Sequence, residues 1–127
     1  MTQNYISIAV VGGGKTGTPL LQNLIDLDFI KVVGVADISE EAPGILIAKE
    51  RGINITKNFM DFAQMGENID IIVDVSGDKN VREKMRTYFN ENNNNHTILM
   101  PELIAVLMMS MAHGELVKTF HGYQEYN

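Results

Sequence analysis

Ile6-Ser-Ile-Ala-Val-Val-Gly12-Gly-Gly14-Lys-Thr-Gly17 is an apolar strand that runs straight into glycines spaced GxGxxG. Gly12 allows a tight turn out of the strand, Gly14 lets backbone approach a pyrophosphate, and Gly17 lets the next helix lie close against the sheet. The N–H groups at the head of that helix then point toward phosphates. Gly12, Gly13, Gly14, Lys15, Thr16 and Gly17 are therefore the candidate phosphate cradle, with Lys15 adding positive charge at its mouth. A second apolar strand, Ile30 to Ala36, ends in Asp37, twenty residues past Gly17. A carboxylate there accepts hydrogen bonds from adenosine ribose hydroxyls. A glycine turn that only packs a helix has no need of that acid.

Asp37 is followed by Ile38 and Ser39, with no Arg beside it to take a 2′-phosphate. A carboxylate repels that phosphate, so the expected cofactor is NAD in preference to NADP. A competing reading takes Ala9 to Thr16 as a loose P-loop with Asp74 as the acid of a second motif. Its first glycine is missing, and Val10 and Val11 read as strand, leaving too little loop to wrap a phosphate chain.

Strand and helix patterns alternate along the rest of the chain. Tyr5 to Val11 is followed by a helix with Leu20, Leu21, Leu24 and Ile25 on one face. Ile30 to Ala36 leads to a helix starting near Pro43 and stopping at Gly52. A short strand, Ile53 to Thr56, precedes a helix over Phe59 to Met65. Ile69 to Val75 is an almost unbroken apolar run, the pattern of a strand covered on both faces. Asp78 caps a helix carrying Val81, Met85, Tyr88 and Phe89, and Asn90 to Asn95 reads as a surface loop. A fifth strand, Thr97 to Met100, leads to a final helix from Pro101 to about Phe120. Five strands alternating with helices predict an α/β fold, a doubly wound parallel sheet in the order 3-2-1-4-5. Ligands then bind at the carboxyl ends of strands one and four, where Ser76 and Gly77 are small enough for close approach.

Composition narrows the function classes. The 127 residues suit one domain with no internal repeat. A net charge of −6, with the ten Lys and Arg residues scattered, argues against direct nucleic-acid binding. Zero cysteines exclude thiolate chemistry and disulfides, so any redox role falls to a bound cofactor. With no apolar run of membrane-span length and no basic leader, a cytoplasmic protein without a membrane segment is expected. His96, His113 and His121 show no metal-ligand pattern. Asp74, in an apolar strand, is expected at the strand's end, where its charge stays solvated. Leu103 to Met111 is apolar nearly all round, more than one sheet face covers, which predicts a homodimer through the last helix.

The glycine turn, Val35-Ala-Asp37, Asp74-Val-Ser-Gly77 and Pro101 together resemble the Rossmann nucleotide-binding domain of two related families. These are the Gfo/Idh/MocA oxidoreductases and the homoserine and aspartate-semialdehyde dehydrogenases, and the resemblance covers roughly residues 4 to 101. It implies a Rossmann-like fold and a nicotinamide dinucleotide over Gly12 to Gly17, Asp37, Ile38, Ser76 and Gly77. In the sugar-dehydrogenase family the fifth strand ends in Glu-Lys-Pro, whose lysine serves the substrate hydroxyl. Here those positions are Leu99-Met100-Pro101, without the lysine, and only one helix follows. Catalytic residues are therefore unknown. The expected function is a stand-alone NAD(H)-binding sensor or regulatory module that is similar to the NADH-binding domain of Rex-type repressors and delegates its output to a partner protein. The alternatives are a minimal oxidoreductase completed by a dimer mate, with Glu102 or His113 as the supplied group, and a CoA- or mononucleotide-binding protein.

Overall fold

The structure, a computed structural model, describes residues 4–117. In chain order the elements are β1 (Ile6–Val11), α1 (Gly17–Leu24), β2 (Ile30–Ala36), α2 (Pro43–Glu50), β3 (Ile55–Thr56) and α3 (Met60–Gln64). A short 3₁₀ turn, Gly66–Asn68, then leads to β4 (Ile71–Asp74), α4 (Lys79–Glu91), β5 (Ile98–Pro101) and α5 (Glu102–His113). The strands form one parallel sheet in the order β3-β2-β1-β4-β5. The order follows from right-handed crossovers that place the two halves on either side of β1.

Alternation along the central strands divides the core between the two sheet faces. Ala9, Val11 and Ile72 pack with Phe62 of α3 and with Val81, Met85 and Phe89 of α4. Ile8, Val10 and Val73 pack with Leu20 and Leu24 of α1 and with Ala105 and Met109 of α5. Val35 packs with Leu21, Ile45 and Ala48, joining α1 to α2. Both faces are covered, which is why β1 and β4 read as almost continuous apolar runs, broken only by Ser7 and by Asp74 at the end of β4.

Several boundaries differ from the sequence expectation. β3 is two residues long, because only Val35 and Ala36 pair with it. β4 starts at Ile71, since Asp70 is tied to Ser7 through both its N–H and its carboxylate. The last helix stops at His113, seven residues before the expected end at Phe120. Gly114 adopts a left-handed conformation (φ 78°) and its N–H returns to Ser110 O, closing the helix. The Val117 N–H then donates to Ser110 Oγ at 2.8 Å, so the chain folds back toward α5. Phe120 and His121 lie outside the described residues. The asparagine loop is organised around Asn94, whose Oδ1 accepts from the His96 and Thr97 N–H groups, with Asn93 left-handed at φ 55°.

Candidate functional site

The glycine turn is built as its spacing predicts. Gly12 has φ 109°, and a Cβ there would lie 2.9 Å from Val75 O. A Cβ on Gly17 would overlap Gly12 O, so α1 sits against the strand end only because residue 17 is glycine. Gly14 differs: a Cβ there would meet nothing within 4 Å. Its place in the turn faces open space, as a cradle for a ligand requires. The N–H groups of Gly14 and Thr16 have no acceptor among the described residues, and the buried Thr16 Oγ1 likewise has no partner there. Val10 and Val11 belong to β1, which leaves too short a loop for a P-loop.

Asp37 leaves β2 half-buried and reaches back to the turn. Its Oδ2 accepts from the Gly13 N–H at 2.8 Å, and its Oδ1 accepts from the Ser39 N–H at 2.9 Å. Each carboxylate oxygen keeps a further lone pair for a ribose hydroxyl. The amino end of α2 joins the same assembly, with the Gly44 N–H donating to Gly13 O at 2.8 Å. A Cβ on Gly44 would come 2.9 Å from Gly13 Cα. Nothing in the sequence spacing marks Gly44, because its contact is made across the sheet's end.

These residues border a cleft of about 310 Å³ at the carboxyl ends of β1, β2 and β4. Its lining includes Gly12, Gly14, Lys15, Asp37, Ile38 and Ser76 of the expected set. Gly13, Thr16, Gly17 and Gly77 are not among its lining residues. Lys57 and Phe59 also line it, carried in by the connection from β3 to α3, and sequence reading missed both. The volume lies at the lower end of the range for small-molecule sites. Ile38, Phe59 and Val81 give the cleft apolar lining beside the Asp37 carboxylate and the Gly14 backbone.

Asp74 ends β4, and its Oδ1 accepts from the Ser76 N–H at 3.1 Å and from Ser76 Oγ at 2.6 Å. Burial pushes its pKa above the ordinary aspartate value, against those hydrogen bonds and the nearby Arg82 charge. Glu102 is almost fully buried in the first turn of α5, where the helix dipole favours a carboxylate. His96 pairs with an acid across the sheet's edge: its Nε2 lies 2.6 Å from Asp70 Oδ1. That pair sits at the amino edge of the sheet, away from the cleft. Among the described residues no three His, Asp or Glu side chains gather as a metal site would require, and no helix is long and apolar enough to cross a membrane.

No protein-family model matches the chain, and no curated protein does. Solved structures do. The scyllo-inositol dehydrogenase of Lactobacillus casei, solved with NAD(H) and scyllo-inositol, aligns over 87% of this chain and 33% of its own, with a TM-score of 0.56 and 19% identity. The domain is Rossmann-like. Saccharopine dehydrogenase (L-Glu forming) from Saccharomyces cerevisiae aligns with this Rossmann-like domain at a TM-score of 0.57 and 15% identity, over 86% of this chain and 32% of its own. GenD2 from gentamicin A biosynthesis, solved in complex with NAD, aligns at 0.50 and 16%, over 80% of this chain and 35% of its own. The likeness to Gfo/Idh/MocA-type inositol dehydrogenases, anticipated from the glycine turn and Asp37, thus holds for the fold. The Rossmann-like domain spans between 32% and 35% of the length of these neighbours.

Proposed function

We propose that the chain binds NAD(H), with the pyrophosphate over Gly12 to Gly17 and the adenosine ribose at Asp37, and works as a cytoplasmic sensor or regulatory module. The observation that carries this reading is the open space at Gly14 beside the Asp37 carboxylate, in a turn whose other glycines are closed in by backbone. The bound dinucleotides of solved Rossmann-like neighbours support the ligand class. Lys15 adds charge near the phosphates, and Ser76 and Gly77 lie where the nicotinamide end passes. For an oxidoreductase completed by a dimer mate, Glu102 is buried at 2% exposure and cannot reach out to a second subunit, which leaves the exposed His113 as the group that reading needs. A CoA or mononucleotide ligand would use the same turn but does not require Asp37.

The module is proposed to act as a homodimer through α5, handing its state to a partner protein. Leu103, Ile104, Leu107, Met108 and Met111 form an exposed apolar stripe on that helix, 40% to 74% accessible. An exposed apolar stripe of this size is an association surface.

Calorimetric titration with NADH, NADPH and CoA tests the ligand. NADH is expected to bind most tightly, with a penalty of about 1 to 3 kcal/mol for the 2′-phosphate facing Asp37. Asp37→Ala should weaken NADH and narrow that gap. Equal affinity for NADH and NADPH overturns the role of Asp37, and tighter binding of CoA overturns the dinucleotide.

A further inference from the structure

Beside the main cleft lies a second cavity of about 190 Å³, and the two share Asp37 and Lys57. Lys57 is the sole cation lining the smaller one, among Ser39, Glu40 and Thr56. Its Nζ lies 3.1 Å from Glu40 Oε1, with both side chains largely exposed. Asp37, held by the Gly13 and Ser39 N–H groups, is not free to turn away.

We propose that the Glu40–Lys57 ion pair adds to Asp37 in discriminating a ribose with a free 2′-hydroxyl from one with a 2′-phosphate. The inference rests on the dinucleotide reading above and goes beyond it in assigning the choice to a pair outside the glycine turn. A ribose held by Asp37 presents its 2′ position where the two cavities meet. The smaller cavity is lined by the carboxylates of Asp37 and Glu40 and one ammonium, Lys57, with Lys15 on the main cleft and the Lys49 charge acting on Glu40 from farther off. A 2′-phosphate carries about −1.5 to −2 charges and is repelled. Lys57 would welcome it, but Glu40 already occupies that ammonium, and Lys57 in turn holds the Glu40 carboxyl below its usual pKa and so charged. An exposed pair of this kind is weak. Neutralising Glu40 therefore releases Lys57 without disturbing the fold.

The test is calorimetric titration of the parent, Glu40→Gln and Glu40→Gln/Lys57→Met with NADH and NADPH at low ionic strength. Glu40→Gln should raise the ratio of NADPH to NADH affinity about three- to fivefold, the scale of an exposed ion pair. Adding Lys57→Met should return the ratio to the parent value or below it. NADH binding with a ratio unmoved by Glu40→Gln overturns the inference alone, as does a raised ratio that survives loss of Lys57. If the parent binds neither dinucleotide, the reading of the site fails and this inference with it.

Discussion

Gly17 and Gly14 stand three residues apart in one turn and answer to different demands. A methyl group at Gly17 would overlap Gly12 O, so Gly17→Ala should lower unfolding free energy by about 3 kcal/mol, the upper range for overpacking. At Gly14 nothing lies within 4 Å, and Gly14→Ala should leave stability unchanged or raise it by up to about 1 kcal/mol through the unfolded chain. Gly14→Val should fold normally and bind NADH at least about tenfold more weakly, because its side chain fills the phosphate space. Chemical denaturation and calorimetry separate the two effects, and a Gly14→Val variant with parental NADH affinity would refute this placement of the pyrophosphate. Asp74 supplies a pH signature. Its folded-state pKa is raised by burial, so the folded chain holds this proton more tightly than the unfolded chain. The associated stability is fully present below the ordinary value of 3.8 and is lost as pH rises through the raised folded value. Thermal unfolding followed from below pH 3.8 upward should show that loss, and Asp74→Asn should flatten it while keeping an acceptor for Ser76. An identical pH profile for the two proteins would remove Asp74 from the account.

At the scale of the element, α5 shows why an apolar run has to be split into faces. Ala105 and Met109 are buried against the sheet and Val106 is buried too, whereas Leu107 and Met108 are exposed at 52% and 40%. Met109, within the run expected to form an interface, belongs instead to this chain's own core at 3% exposure. Met109→Glu should therefore unfold or precipitate the protein, since an unpaired carboxylate would be buried. Leu107→Glu should keep a parental circular-dichroism melt and sediment as a monomer where the parent sediments as a dimer. A monomeric parent at micromolar concentration would dispose of the α5 dimer. The Leu103 to Met111 run cannot display this division, because apolar residues of both faces follow one another in the chain. The packing of α5 on β4 and β5 decides which ones turn inward.

For the molecule as a whole, a ligand that binds only the folded state adds RT ln(1 + [L]/Kd) to its stability. NADH at a hundred times its dissociation constant should add about 2.7 kcal/mol and raise the melting temperature by several degrees. Gly14→Val should lose that shift at the same concentration, and an unshifted parent melt would count against dinucleotide binding. The fold was legible in the residues because its determinants are local. The strand run into Gly12, the spacing to Gly17 and the acid at Asp37 each act within one βα unit, and alternating periodicity with right-handed crossovers leaves the order 3-2-1-4-5. The end of α5 at Gly114 was equally local, but the apolar pattern beyond it masked a glycine stop. Tertiary structure alone decided what the carboxyl edge of the sheet brings together. Lys57 and Phe59 enter the cleft, Gly44 locks onto Gly13, and Asp37 turns back to the Gly13 N–H. Those contacts join residues far apart in the chain, and their distances are set by how the crossovers stack on the sheet, a quantity that no spacing along the sequence contains.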